Sequence, residues 1–198
     1  MPIQRVRPKF TDVRGSIAAA ALPAGSIVKA ETKIISAFGD TTVASTSSYN
    51  DVSGTEVSFS RTFADSKILG LWNLKVTTGL SVSLKLNRKI GSGSYAVVNA
   101  GQGVGQTDGG RTSKEGVWGR LYNNTNTNAM GFGIHAQQYT FLDESGEGLT
   151  DTTDAISYKI SISGSGTSHK LSLNIENYSG TNYDRVTESS VTFMEIKV

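Results

Sequence analysis

The sequence predicts an all-β protein, an antiparallel β-sandwich or jelly-roll domain preceded by an extended N-terminal arm. Apolar and polar residues alternate with a period of two in the last third of the chain. Successive side chains of a strand point to opposite faces, so each alternating run covers a core with one face. Strand-like runs recur at intervals of roughly 8–12 residues with turn signals between them. The 22 glycines suit short strands joined by turns, and every apolar run either alternates or is broken by glycine.

Residues 1–25 are predicted to form the arm and residues 26–198 the β domain. The arm is rich in Arg and Lys, is interrupted by prolines and ends in a small apolar run at residues 17–22. The alanines of that run are too few to form a stable helix alone in water. We therefore expect the arm to be extended and to dock on the surface of a partner by apolar and basic contacts. The predicted docking residues are Ile3, Arg5, Val6, Arg7, Phe10, Arg14, Ile17 and Leu22.

The β domain is predicted strand by strand from its apolar pattern. The earlier candidate strands are residues 27–36, 57–59, 68–74, 80–86, 95–98, 117–121 and 130–138. The run at residues 68–74 is nearly continuously apolar, which is typical of a central strand buried on both faces, and places Trp72 in the core. In the last strands apolar and polar residues alternate, so one face is predicted to cover the core and the other to face water. The residues predicted to point inward are Ile156, Tyr158, Ile160, Ile162, Leu171, Leu173, Ile175, Val191, Phe193, Met194, Ile196 and Val198.

Composition excludes several classes of protein. A chain of 198 residues with a net charge of +2 spread along its length lacks the footprint of a nucleic-acid binder. The absence of cysteine excludes disulfides and thiolate zinc sites. No apolar run resembles a secretory signal or approaches the roughly 20 residues of a membrane span. We expect the chain to be made and assembled in a cytoplasm without membrane insertion.

No catalytic, cofactor or metal site is predicted. The glycines at residues 101–105 match neither the dinucleotide fingerprint nor the P-loop, and His135 and His169 lie in separate strand regions. A calcium-loop pattern is partly matched, although its fifth and twelfth positions depart from the preferred residues. Whether this acidic segment binds a cation stays open. The residues at positions one, three, five, six and twelve of the pattern are Asp143, Ser145, Glu147, Gly148 and Asp154.

The loops at residues 99–128 offer an alternative function. They lack side chains suited to a core, and loops on a rigid sheet commonly carry binding sites. Trp118 is either a sugar-stacking or interface aromatic, accompanied by Arg120 and Tyr122, or an ordinary residue of the sheet. A carbohydrate-binding adhesion module is therefore one hypothesis. A hydrolase within the β fold is another, although no pair of carboxylates is singled out by its spacing.

Four segments, in their order along the chain, resemble the β-rich tail-fibre and virion structural proteins of tailed phages, particularly those of cyanobacterial and other marine hosts. The segments are residues 22–28 (LPAGSIV), 49–54 (YNDVSG), 57–76 (VSFSRTFADSKILGLWNLKV) and 189–198 (SSVTFMEIKV). The resemblance implies a compact sandwich or jelly-roll head, usually a homotrimer, behind an N-terminal segment that attaches it to the particle.

The same resemblance implies a virion location and brings no catalytic residues. Because the chain is short and lacks a shaft, a small appendage or a capsid-decoration subunit fits it better than a long fibre. The implied partners are other virion proteins of the capsid, neck or tail. A glycan of the host surface is a further candidate partner.

Overall fold

The computed structural model describes ten stretches of the chain, and the strands of an all-β fold fill most of them. The stretches are residues 19–43, 49–78, 82–98, 107–108, 111–112, 119–121, 135–145, 148–164, 170–174 and 187–198. A single 3₁₀ turn, Ala19–Ala21, precedes the strands. The strands in these stretches are β1 Ile27–Ile35, β2 Gly39–Thr42, β3 Asn50–Asp51, β4 Val57–Phe59, β5 Lys67–Thr78, β6 Val82–Ile90, β7 Ala96–Val97, β8 Thr107–Asp108, β9 Arg111–Thr112, β10 Gly119–Leu121, β11 His135–Asp143, β12 Ile156–Gly164, β13 Lys170–Leu173 and β14 Ser189–Ile196.

Two six-stranded antiparallel sheets form the domain, and we name them sheet A and sheet B. In sheet A, β14 and β13 lie end to end along one side of β5, and β11 pairs with its other side. Outside β14 and β13 lie β1 and β2. In sheet B, β12 pairs with β6; β3 and β4 lie outside β12, and β7 and β10 lie outside β6. The short strands β8 and β9 pair with each other.

The order of these strands is that of a jelly roll. Strands that lie end to end share a column, so each sheet of the described chain has four columns. Numbered along the chain, the columns run one, eight, three, six across sheet A and two, seven, four, five across sheet B. The first column thus pairs with the last, the second with the seventh, the third with the sixth and the fourth with the fifth. This nested pairing confirms the predicted fold class and identifies it as a jelly roll.

The core lies between the sheets and is filled by alternate residues of their strands. Trp72 is 1% exposed and lies in this core, as predicted. The rings of Phe59 and Tyr158 each lie 5.3 Å from the ring of Phe193, measured between centroids. The predicted inward alternation is confirmed at its described positions in β12, β13 and the first half of β14: Ile156, Tyr158, Ile160, Ile162, Leu171, Leu173, Val191 and Phe193.

Two expectations about apolar runs are wrong. The strand β5 is not fully buried on both faces, because its outward residues Leu69 and Leu71 stay half-buried. Every second residue of β14 continues to point inward beyond Phe193. The next such residue is Glu195, and it is fully buried. The apolar residues predicted to follow Phe193 into the core are half-buried or exposed instead: Met194, Ile196 and Val198.

A close approach between β5 and β11 requires glycine in the middle of a core strand. Gly70 lies directly opposite Phe141 in the register of the two strands. A Cβ atom at position 70 would lie 2.0 Å from the ring of Phe141. The missing side chain therefore makes the space that the Phe141 ring fills.

Asn174 joins three segments at the end of β13. It is fully buried and has a φ of +58°, a left-handed conformation that Asn tolerates better than most residues. Its Nδ2 donates to the carbonyls of Ile35 at 2.6 Å and Ala37 at 2.7 Å. Its Oδ1 accepts from the hydroxyl of Ser189 at 2.6 Å. The side chain thus ties the end of β1 to the start of β14.

Candidate assembly surfaces and the buried charge cluster

Residues 19–26, which we name the arm root, lie against the end of the last strand. The amide of Gly25 donates to the carbonyl of Lys197 at 2.8 Å, and the amide of Lys197 donates to the carbonyl of Ser26 at 3.0 Å. Lys197 Nζ donates to the carbonyl of Leu22 at 2.7 Å. Gly25 has a φ of +83°, which allows the turn in which the amide of Ser26 donates to the carbonyl of Pro23. The chain therefore enters β1 from a fixed position.

The predicted docking residues of the arm fall mostly before this point. Leu22 is within the described residues, where it is half-buried and its carbonyl is held by Lys197. Its partner is therefore the domain's own last strand. The remaining residues lie outside the described stretches and stay predictions: Ile3, Arg5, Val6, Arg7, Phe10, Arg14 and Ile17.

The proposed glycan or interface aromatics flank a short strand at the edge of sheet B. Arg120 lies in β10, where its backbone pairs opposite Ser83 of β6. Trp118 and Tyr122 lie outside the described residues. The segments on either side of β10 thus start from the edge of sheet B, and the binding role of these three residues stays a prediction.

A fully buried carboxylate lies at one end of the sandwich, on the inward face of β14. Glu195 accepts hydrogen bonds from the amides of Thr62 at 2.8 Å and Phe63 at 2.7 Å and from the hydroxyl of Ser66 at 2.7 Å. Burial alone would raise the pKa of Glu195, but these donors outweigh it and hold the pKa below its ordinary value. Glu195 therefore fixes the connection between β4 and β5.

Arg61 ties that connection to the loop before β12. It is 5% exposed, and its guanidinium donates to the carbonyls of Ser66 at 2.6 Å, Thr150 at 2.5 Å and Thr152 at 2.7 Å. Burial lowers the pKa of Arg61 from its ordinary value, while neighbouring anionic groups oppose the shift. The guanidinium fork suits this role because it presents several donors in a fixed plane.

Asp143 forms the second half of the same group. It is fully buried, makes an ion pair with Arg88, and accepts a hydrogen bond from the hydroxyl of Tyr158 at 2.7 Å. Burial raises the pKa of Asp143 and also that of Tyr158. This placement corrects the calcium-loop interpretation. Asp143 is the first residue of that pattern, and its carboxylate faces the core and pairs with Arg88.

We name these five residues the buried charge cluster: Arg61, Arg88, Asp143, Tyr158 and Glu195. Its two cations and two carboxylates balance, and each charged side chain holds a partner from another segment. The cluster was not predicted from the sequence, although the pattern of β11 and β14 contained a signal for it. Asp143 and Glu195 continue the period-two phase of Phe141 and Phe193, so each had to point inward.

The outer face of sheet B is covered by polar side chains that contact one another through ion pairs and cation–π interactions. Lys159 makes an ion pair with Asp51 and lies 3.7 Å from the centroid of the Tyr95 ring. Lys89 pairs with Glu56 at 3.3 Å and lies 4.9 Å from the same ring. Because lysines cover the Tyr95 ring, this face offers no free aromatic platform around Tyr95.

The described stretches contain neither a cluster of metal ligands nor a helix suited to cross a membrane. No three His, Cys, Asp or Glu side chains there come together as a metal site. No helix in the same part of the chain is long and apolar enough to cross a membrane.

Comparisons with known proteins assign no family. No protein-family model matches the chain, and no curated protein matches it. Similar solved structures include the VP2 subviral particle of infectious bursal disease virus, at 12% identity and a TM-score of 0.39, over 86% of this chain and 37% of that one. They also include the Gx strain of the same virus, at 12% identity and a TM-score of 0.40, over 85% and 42% of the two chains.

The chain thus spans about two fifths of the length of these viral structures. Since both TM-scores lie below 0.5, the likeness carries no argument about function. The fold assignment rests on the strand order described above.

Proposed function

We propose that this chain is a non-enzymatic structural protein of a tailed bacteriophage, a short tail appendage or capsid-decoration subunit. It docks on other virion proteins of the capsid, neck or tail through its N-terminal arm and displays the jelly-roll domain outward. Its assembly takes place in the host cytoplasm. The order of the phage-like segments in the sequence supports this class of protein. Jelly rolls occur in viral capsid and lectin domains alike, so the fold agrees with the role by analogy.

The observation that carries the proposal is the arm root. Gly25 and Leu22 are hydrogen-bonded to Lys197, so the arm begins at a fixed point on the domain. The segment before it combines apolar side chains with four cations, Arg5, Arg7, Lys9 and Arg14. A short segment of this composition gains stability by burying its apolar residues on a partner.

The buried charge cluster supports the non-enzymatic part of the proposal. Catalytic acids and bases need access to a substrate. Asp143 and Glu195 are instead fully buried and saturated by hydrogen bonds and ion pairs. Their perturbed pKa values therefore have a structural cause.

Removal of residues 1–18 tests the docking role while keeping the arm root. We expect the truncated chain to be missing from purified particles, with an unchanged thermal unfolding midpoint for the domain. A matched full-length variant with Arg5, Arg7 and Arg14 changed to Lys keeps the charge and should still be incorporated. Normal incorporation of the truncated chain would refute the arm.

A carbohydrate-binding adhesion role is the second candidate, and it is compatible with a virion location. The pairing of β10 with β6 favours it, since Arg120, which stands between Trp118 and Tyr122 in the sequence, lies in a strand at the edge of sheet B. Screening against a glycan array should detect binding that Trp118→Ala removes and Trp118→Phe largely retains. The absence of binding, or binding unchanged by Trp118→Ala, would exclude this role.

A further inference from the structure

The outer surface of sheet A carries an apolar patch, whereas the outer surface of sheet B is polar. The strand register arranges its outward residues in rows that cross β1, β14, β5 and β11. In the first row, Lys67 and Glu144 form an ion pair at 2.6 Å beside two isoleucines. We name the three successive rows face A: Ile27, Ile196, Lys67 and Glu144; Ala30, Met194, Leu69 and Leu142; Thr32, Thr192, Leu71 and Thr140.

Face A differs from the corresponding surface of sheet B in chemistry, although both belong to the same sandwich. The outward residues of the central strands of sheet B are Ser83, Lys85, Asn87, Lys89, Ser157, Lys159, Ser161 and Ser163. In face A, Ile27 is 56% exposed and Leu142 38% exposed. A contiguous exposed apolar surface is the mark of an interaction site. The nearly continuously apolar run at residues 68–74, a pattern typical of burial on both faces, agrees with a face that is covered after assembly.

The N-terminal arm has the length and composition to cover face A. Its apolar residues are Ile3, Val6, Phe10, Val13 and Ile17. Eighteen residues span up to about 60 Å when extended, whereas four strands are only about 19 Å across. The basic residues between the apolar ones remain free to meet solvent or acidic groups beyond the face.

The arm root itself lies away from face A of its own domain. Lys197 continues the inward phase of Phe193 and Glu195, and its Nζ lies 5.7 Å from the centroid of the Phe63 ring. The same Nζ holds the carbonyl of Leu22. Leu22 therefore lies at the inward-facing end of the sandwich, while face A is on the opposite side of β14.

We propose that face A of one copy of the chain binds residues 1–18 of a second copy. The proposal rests on the docking arm of the proposed function and names one of its partners. Because arm and face are different surfaces, the contact is heterologous and repeats from copy to copy. It closes into a ring, such as the predicted homotrimer, when the rotation between copies allows closure.

Complementation between two full-length variants tests this contact. The arm variant carries Val6→Ser and Phe10→Ser. The face variant carries Ala30→Lys and Leu142→Lys, two exposed positions at opposite edges of face A, where added cations repel the basic arm. The control variant carries Ser58→Lys and Ala96→Lys at exposed edge positions of sheet B.

Sedimentation velocity at micromolar concentration is the readout, with circular dichroism to verify folding of each variant. We expect the wild type and the control variant to associate, and the arm and face variants each to lose association at least tenfold. An equimolar mixture of the arm and face variants should give a dimer, because it combines one intact arm with one intact face. A monomeric mixture, or a monomeric wild type, would overturn the proposal.

Disulfide trapping provides a second measurement, since the chain has no native cysteine. We expect Val6→Cys on one chain and Leu142→Cys on another to form a covalent dimer on mild oxidation, and Val6→Cys with Ser58→Cys to remain uncrosslinked. Equal crosslinking of both pairs would overturn the proposal. A wild type that is monomeric yet enters particles only with its arm would contradict this inference alone. Particle entry without the arm would contradict the proposed function.

Discussion

Glu195 brings a carboxylate to a position where the alternation of β14 calls for an apolar side chain. The amides of Thr62 and Phe63 and the hydroxyl of Ser66 converge on it, so the turn between β4 and β5 depends on one ionised residue. A buried polar group with several partners is costly to replace, because its donors are left without an acceptor. The stability of this end of the sandwich should therefore depend on pH.

Glu195→Gln tests that dependence. The folded pKa of Glu195 lies below its ordinary value of 4.5, so the ionised carboxylate contributes stability above about pH 4.5 that is lost as the pH falls through the folded pKa. We expect the variant to be less stable by about 1–3 kcal/mol at pH 7. The difference from wild type should shrink on acidification. Urea unfolding from pH 7 to pH 3 measures it, and a difference independent of pH would contradict the prediction.

Asn174→Ala tests a residue whose backbone and side chain both matter. The change removes the hydrogen bonds to Ile35, Ala37 and Ser189 and places alanine at a φ of +58°. We expect a loss of about 2–4 kcal/mol in the free energy of unfolding. Asn174→Gly relieves the backbone but not the hydrogen bonds, so it should be less damaging. Equal stability of Asn174→Ala and wild type would refute this assignment.

Among the strands, alternation predicted most of the architecture and also concealed its exceptions. The inward series of β12 follows directly from its sequence, because each apolar residue is followed by a polar one. The end of β14 could not be predicted in this way. Two apolar residues, Phe193 and Met194, stand next to each other there, so the sequence does not show that Glu195 is the next residue to point inward. Pairing between distant strands was beyond prediction, because apolar periodicity assigns a face to a strand but no neighbour.

Gly70→Ala tests the close approach of β5 and β11. The new methyl group would collide with the Phe141 ring, which forces a shift of the packed strands and should cost about 1–3 kcal/mol. Combining Gly70→Ala with Phe141→Leu removes ring atoms from the collision, so the double variant should lose less than the sum of the single losses. Denaturant unfolding of the four chains measures the coupling, and simple additivity would count against the contact.

For the whole molecule, nested pairing brings the first and last strands together and so sets where the arm begins. An arm over residues 1–25 could be predicted from composition alone, and it stays a prediction. Its attachment to Lys197 could not, because that contact joins positions about 175 residues apart. Face A was signalled by the continuous apolar run of β5, but its extension over Ile27 and Leu142 needed the strand register.

Lys197→Ala tests whether the arm root is held as the structure indicates. Loss of the hydrogen bond to Leu22 should speed amide hydrogen exchange in residues 22–26 severalfold. A single part-buried hydrogen bond contributes about 1 kcal/mol, so the unfolding midpoint should fall by no more than about 4 °C. Lys197→Arg keeps a donor and should keep most of the protection. Unchanged exchange in Lys197→Ala would show that the backbone hydrogen bonds of Lys197 with Gly25 and Ser26 are enough to fix the arm root.

The neighbouring positions of Gly25 and Lys197 also guide how the protein is labelled. A reporter fused after Val198 would emerge beside the arm root and obstruct whatever the arm approaches. Ser92, Gly93 and Ser94 form an exposed turn between β6 and β7, outside the strand pairs that enclose the core. A fluorophore or epitope grafted into that turn should leave docking intact, whereas the same graft at the carboxyl end should weaken it.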